Sequence, residues 1–268
     1  MTDIHSSFQD VDRASETDAF FAFLDAANNL ESIQSYRHRM LELCPVQLGQ
    51  RVLDIGCGVG HATLDLEKRV GDGGSVTGVD KSETLIAEAR RRAGVLSAPV
   101  DYRTGDACRL AFPDDHFDVC RTERVLMYLE SPEAAIEEMV RVLRPGGRFA
   151  LFEFDYDNLV VDAEDEELTR RILRFVSRSI PSPWIGRQLR RLMLDRGAVN
   201  LEVLPHMIAT PLEMFRRVVG GTVSEGVERG AFEAAQIDRW WQDLERSESQ
   251  GRFFSGFFGF VVCGQLAD

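Results

Sequence analysis

From residue 50 to residue 155 the chain alternates between short apolar runs of β-forming residues and longer stretches with helical periodicity, joined by connections of only a few residues. QRVLDIG reads as a buried strand, HATLDLEKRV as a helix, GSVTGVD as a second strand, and SETLIAEARRRAG as a helix with Ser82 as N-cap and Gly94 as stop signal. PVDYRTGD and HFDVCRTE give two more strands, SPEAAIEEMVRVLRPGG a helix with Ser131 as cap and Pro132 in its first position, and RFALFEFD a fifth strand. Strands that alternate with helices over such short links imply a mostly parallel sheet covered by helices on both faces. Crossovers in such a sheet are right-handed, and ligands collect at the carboxyl ends of the strands where strand order reverses, so the function is expected in the loops that follow the strands.

Outside this stretch the rhythm changes. Residues 15–44 carry apolar positions at mixed helical spacings and read as one or two helices ahead of the core. After residue 157, helical patterns cover 163–180, 184–196, 211–219 and 227–248, AVNLEVLPHMIA reads as a strand, and GRFFSGFFGFVVCGQL as an aromatic-rich final strand. The expected architecture is one α/β domain: a Rossmann-like, seven-stranded, mostly parallel sheet with an antiparallel last strand and a helical lid. Residues 1–48 supply N-terminal helices, 49–157 the binding core, 158–252 helical lid insertions around strand six, and 253–268 the final strand.

The loop after the first strand, VLDIGCGVG, places Gly56, Gly58 and Gly60 as G-x-G-x-G with Asp54 two residues ahead of the first glycine. A dinucleotide-binding turn has the spacing G-x-G-x-x-G instead, and a carboxylate at the end of a central strand is a poor neighbour for a pyrophosphate. It suits a cofactor with cationic character. The second strand ends at Asp80, where a carboxylate can accept from both hydroxyls of a ribose. The pattern therefore asks for a nucleoside without phosphate, and S-adenosylmethionine answers that description.

Composition removes other classes. The chain has 268 residues, 44% hydrophobic and 28% charged, enough for one large core or two small ones. A net charge of -13 repels a phosphate backbone, which speaks against nucleic acid as partner. The five cysteines, Cys44, Cys57, Cys108, Cys120 and Cys263, are scattered, odd in number and never spaced C-x-x-C, so neither a disulfide framework nor a metal site is expected. No run of about 18 apolar residues suggests a membrane span and the N-terminal residues contain no apolar signal region, which points to the cytoplasm.

In order along the chain, VLDIGCGVG, VTGVDKSE, YRTGDACRLAFPDDHFDVC, ERVLMYL and RVLRPGGRF resemble the motifs of the class I S-adenosylmethionine-dependent methyltransferases, in particular the small-molecule branch akin to quinone and polyketide methyltransferases. The resemblance covers roughly residues 35–155. It implies that Gly56, Cys57 and Gly58 lie against the amino-acid part of the cofactor, that Asp54 reaches its ammonium, and that Asp80 holds the ribose. It further implies that Lys81 and Leu85 flank the adenine, that Asp106 and Ala107 meet its amino group and ring edge, and that Thr122 with the backbone after strand four closes on the methionine portion. Arg37 on the leading helix is a candidate for the cofactor carboxylate or for a solvated arginine. Where a histidine often stands in the family, this chain has Tyr128.

Methyl transfer is an in-line displacement, so alignment and exclusion of water come first, and a base is needed only for an acceptor that is not already nucleophilic. Tyr128, Glu153, Asp155 and His206 are the candidate catalytic groups, with Glu123 and Tyr156 near the same mouth. Glu123 and Arg124 read equally well as an internal ion pair, and Trp240, Trp241 and the phenylalanines from Phe253 to Phe260 as core or as pocket wall. The expected function is methyl transfer to oxygen or carbon of a small, largely apolar, natural-product or quinone-like acceptor by a monomer or homodimer. The rival is a cofactor-binding homologue with another reaction, such as a cyclisation.

Overall fold

The computed structural model describes Asp12 and residues 17–268. Apart from Asp12, the part of the expected N-terminal segment before residue 17 lies outside the described residues. The central sheet comprises β1 (Arg51–Ile55), β2 (Ser75–Asp80), β3 (Asp101–Thr104), β4 (Phe117–Glu123), β5 (Leu143–Phe154), β6 (Val160–Val161), β7 (Ala198–Ala209) and β8 (Ser255–Leu266). β1 pairs in parallel with β2 on one side and β4 on the other, β2 with β3, and β4 with β5. β8 runs antiparallel to both β5 and β7. Gly256 of β8 pairs with Val160 of β6 and with Ala209 of β7, so these two lie on opposite edges and β6 prolongs the β5 side. The sheet therefore has seven strand positions, as the sequence suggests, and the eighth strand is a two-residue continuation.

The strands of the first half are buried on both faces, as expected where helices cover both sides. Val52, Leu53 and Ile55 of β1 are at most 2% exposed. α3 (His61–Val70) follows β1, α4 (Glu83–Leu96) follows β2, and α5 (Pro132–Val142) precedes β5. The Ser82 hydroxyl accepts from Leu85 N–H at 3.1 Å, the expected N-cap. Gly94 is not the end of α4: the helix runs two residues further and stops at Ser97, which takes the left-handed conformation (φ 54) while Ala98 N–H reaches back to Ala93 O. Ser131 sits at the start of α5 but makes no side-chain capping bond there.

Ahead of β1, α1 (Thr17–Asn28) and α2 (Glu31–Leu43) lie over the carboxyl side of the sheet. The Tyr36 ring of α2 stacks on Phe152 of β5 at 3.8 Å between centroids, an anchor that ties α2 to the sheet. The second half contains α6 (Glu166–Arg178), α7 (Ile185–Leu194), α8 (Leu212–Glu228) and α9 (Ala234–Ser249). α7 is the crossover helix between β6 and β7; Ile185, Leu189 and Met193 are wholly buried, and it packs on β5, β7 and β8. The expected break after residue 219 falls instead at 229–233, because α8 continues through Gly220 and Gly221, and Gly226 leaves room for the Phe232 ring where a Cβ would stand 2.6 Å from it.

Candidate cofactor and acceptor site

β1 is where strand order reverses: the chain steps outward from β1 through β2 to β3 and then returns to β4 on β1's other side. A cavity of about 220 Å³ opens at the carboxyl ends of these strands. Gly56 enters the loop after β1 with φ +73, and a Cβ there would meet Val125 Cγ2 at 2.1 Å, so only glycine lets the loop pass under the turn after β4. Gly58 also has positive φ (+55), and nothing lies within 4 Å of the place where its Cβ would be. That bare backbone facing open space is what a close-lying ligand requires. The loop is tied to the next strand by Asp80, whose carboxylate accepts from Gly58 N–H at 2.9 Å and Ser82 N–H at 3.1 Å. Burial raises the Asp80 carboxyl above its ordinary pKa, against the pull of those two hydrogen bonds.

Asp54, Gly56, Cys57, Gly58, Asp80, Lys81, Leu85, Asp106 and Ala107, all expected from the sequence, line this cavity together. Thr122 does not. On β4 alternate side chains face opposite ways, and Arg121 and Glu123 take the cavity face. Thr122 points to the α5 side among Ile55, Ile136 and Met139, with its hydroxyl unpartnered.

Glu123 organises the cavity floor. Tyr36 Oη donates to its Oε1 at 2.5 Å, Arg37 donates from Nε and Nη2 to both oxygens at 2.8 Å, and Arg124 Nη2 reaches Oε1 at 3.0 Å. Arg121 Nη2 also bonds Oε2, and its Nε lies 3.5 Å from Asp54 Oδ1, its register neighbour on β1. Burial alone would raise the Glu123 carboxyl, but the guanidiniums of Arg37, Arg124 and Arg121 overrule it and hold it well below the usual range. Asp54 has fewer partners; burial outweighs Arg121 and pushes it up to about 6. Arg121 was not singled out in the sequence. Its signal is the pair of opposite charges two residues apart on one face of a strand that is otherwise buried.

The candidate catalytic groups separate. Tyr128 lines the cavity, and its side chain hydrogen-bonds with that of Tyr156, also in the wall. Glu153, Asp155 and His206 are absent from the wall. Glu153 accepts from the backbone N–H of Val125 and Leu126 at 2.8 Å and of Met127 at 3.4 Å, capping the one-turn helix Leu126–Tyr128. Asp155 is paired with Arg187 of α7, and His206 donates from Nε2 to Ser32 O at 2.8 Å while its ring meets the edge of Tyr36. Trp240 donates to Thr169 Oγ1 and belongs to the core, whereas Phe257 reaches the cavity. Beyond Tyr128, Tyr156 and Thr210 this part of the wall is apolar: Phe154 from β5, Ile208 from β7, Met214 and Val218 from α8, and Phe257 from β8. Of the expected lid, α8 and the strand ends reach the site; α1 closes the other side with Phe23, Leu24 and Ala27.

Comparison with known proteins bears on family and fold. Residues 53–151 match the family described as methyltransferase domain. Over 248 residues, 91% of this chain and 70% of the other, the sequence is 34% identical to an uncharacterized 37.1 kDa protein in transposon Tn4556 of Streptomyces fradiae. It is 39% identical to the 2-phytyl-1,4-naphtoquinone methyltransferase of Synechococcus elongatus over 107 residues, which is 39% of this chain and 46% of that one; the match thus spans about half of the quinone enzyme. Among solved structures, phosphoethanolamine N-methyltransferase 2 of Haemonchus contortus in complex with S-adenosyl-L-methionine superposes with a TM-score of 0.61 at 21% identity, covering 98% of this chain and 60% of that one, a likeness of fold.

Sheet order, and a glycine loop and Asp80 that meet in one cavity at the topological switch point, define a Rossmann-like fold. The chain belongs to the class I S-adenosylmethionine-dependent methyltransferases, and S-adenosylmethionine is its cofactor. No described helix is long and apolar enough to cross a membrane.

Proposed function

We propose that this methyltransferase acts on an oxygen or carbon of a small, largely apolar, quinone-like or natural-product acceptor. The observation that carries the reading is the division of one cavity into two unlike halves: a polar half built by the glycine loop, Asp54, Asp80 and Asp106, and an apolar half built by Phe154, Ile208, Met214, Val218 and Phe257. In this reading Asp80 accepts from the ribose hydroxyls, Lys81 and Leu85 flank the adenine, and Asp106 and Ala107 meet its edge. Asp54 faces the ammonium, with Gly56, Cys57 and Gly58 along the amino-acid part. The cofactor supplies an electrophilic methyl on a sulfonium. The chain aligns the acceptor and excludes water, with α1 and α8 closing over the two halves. The match to a naphthoquinone methyltransferase supports a quinone-like acceptor. The acidic surface supports a small molecule rather than nucleic acid, and we place the enzyme in the cytoplasm as a monomer or homodimer.

Titration calorimetry with S-adenosylhomocysteine is expected to show one site per chain, weakened at least about tenfold by Asp80→Ala, because a carboxylate that accepts two hydroxyls is worth more than about 1.4 kcal/mol. No binding to the wild-type chain would sink the reading. Product mass decides the reaction: a gain of about 14 Da is transfer, and an isomer of unchanged mass is the cyclisation alternative.

A further inference from the structure

Three guanidiniums reach the cavity floor, and they are unequally engaged. Arg37 spends Nε and Nη2 on Glu123 and Nη1 on Asn28. Arg121 is bonded to Glu123 and faces Asp54. Among the described residues, Arg121 and Arg124 each make a single hydrogen bond, from Nη2 to Glu123, and each has a buried Nε without a hydrogen-bond partner; Arg124 differs in having no second carboxylate within ion-pair distance, as Arg121 has in Asp54. An arginine has five N–H donors in a planar fork, and a buried one left unmade costs about 1–3 kcal/mol.

Arg124 lines the cavity together with Tyr128 and Tyr156. It stands at the start of the turn after β4, held there with φ 58 by its own N–H to Phe152 O. Its charged neighbours are Glu123, Glu153 and Arg37, and Tyr36, Tyr128 and Tyr156 stand near it. Glu153 of β5 holds the adjoining turn by its backbone. The floor carries three cationic groups, Arg37, Arg121 and Arg124, against Asp54 and Glu123, and Glu153 of β5 is a third carboxylate near Arg124, its oxygens turned to the backbone N–H groups of the adjoining turn. The apolar half thus contains a polar corner in which Arg124 has Glu123 as its one ion-pair partner among the described residues.

We propose that Arg124 is the anion-binding residue of the acceptor site: the acceptor presents a phenolic or enolic hydroxyl and binds as its oxyanion against the Arg124 guanidinium, with the Tyr128 hydroxyl as second donor. The hydroxyl proton leaves to solvent as the acceptor enters, so no protein carboxylate or histidine has to take it. This accounts for the wall's lack of Glu153, Asp155 and His206. The proposal rests on reading the cavity as a joint cofactor and acceptor site.

The probe is 4-nitrophenol, whose visible absorption reports its ionisation directly, titrated into the complex with S-adenosylhomocysteine. The wild-type complex is expected to bind nitrophenolate about tenfold or more tightly than the neutral phenol, the effect of an opposite charge at contact distance. Arg124→Gln should erase that preference while S-adenosylhomocysteine affinity stays within about twofold, and Arg124→Lys should restore part of it, because the charge returns without the fork. Tyr128→Phe should weaken it less than Arg124→Gln. If Arg124→Gln instead weakens S-adenosylhomocysteine severalfold and leaves the nitrophenolate preference intact, the guanidinium serves the cofactor carboxylate and the proposal is overturned. Homocysteine-nucleoside binding without any nitrophenolate preference in the wild type overturns it equally. Failure of the wild type to bind S-adenosylhomocysteine is a different result, and it removes the cofactor reading together with this one.

Discussion

Glu153 and Asp54 are carboxylates with no exposed surface to speak of, and each is held differently. Burial pushes Glu153 up to about 7 although three backbone N–H groups favour its ionised form, and Asp54 up to about 6 although Arg121 stands beside it. In the unfolded chain both lose their protons near their ordinary values. Between about pH 4 and 7 the folded chain therefore holds protons the unfolded chain has released, and these two groups lower stability as pH rises through that window. Glu123 works in the opposite direction: its depressed carboxyl adds stability that is lost only as pH falls below its ordinary range. Glu153→Gln should flatten the decline seen in thermal midpoints from pH 5 to pH 8, with its largest deficit at the acid end. Glu153→Ala, which leaves the N–H groups of Val125, Leu126 and Met127 without an acceptor, should cost about 2–4 kcal/mol at pH 5 and progressively less toward pH 8, because it too lacks the titrating group. A glutamine variant with the wild-type slope would place the titration elsewhere. In the sequence Glu153 was a candidate acid or base because it ends a strand; nothing in one dimension says that the turn after β4 comes back to claim both of its oxygens.

The elements of the first half were legible because each satisfies one strong period, and their order alone brought Asp54, Asp80 and Asp106 to strand ends that open on one cavity. Ends and lids were less legible. Gly94 looked like a terminus, yet a helix stops where a left-handed residue and its back-bonding become affordable, here at Ser97. The lid expected over 158–252 is narrower: α7 is buried against the sheet, and in that range α8 and the end of β7 bear on the site, a distinction made by tertiary packing rather than by amphipathic pattern. The N-terminal cover α1 is latched by Asp25, which meets His61 Nε2 at 2.7 Å at the head of α3 and Arg92 Nη1 at 2.6 Å on α4. A part-exposed paired latch of this kind is worth about 0.5–1 kcal/mol. Arg92→Gln should therefore raise the dissociation rate of S-adenosylhomocysteine about two- to fivefold in stopped flow, most clearly at low salt. Arg91→Gln is the control: among the described residues its guanidinium pairs only with Glu88 on the same helix, and no change is expected. Equal effects of the two substitutions would mean that general charge, not the latch, governs release.

At the scale of the whole molecule, α2, α6 and α8 form one body with the core, while Phe20 of α1 packs in a smaller cluster with Val59 and Leu85. Ile33, Tyr36 and Met40 of α2, Ile172 and Val176 of α6, and Phe215 and Val219 of α8 belong to the same continuous cluster as Val52, Leu53, Phe149 and Phe152 of the sheet. Elements that share buried neighbours lose them together, so unfolding in urea should be a single transition. The three tryptophans, Trp184, Trp240 and Trp241, all lie in the second half, which makes their fluorescence a report on α6–α9, while far-ultraviolet circular dichroism reports every element. Coincident transitions by the two probes are expected. S-adenosylhomocysteine at 100 times its dissociation constant should stabilise the chain by about 2.7 kcal/mol, raising the thermal midpoint by about 5–10 °C with an unchanged denaturant slope, since the ligand closes a preformed cleft rather than folding a separate domain. Tryptophan fluorescence that changes well before the circular dichroism, or a slope that rises steeply with ligand, would instead mean that the region after residue 157 folds on its own and docks only when the site is filled.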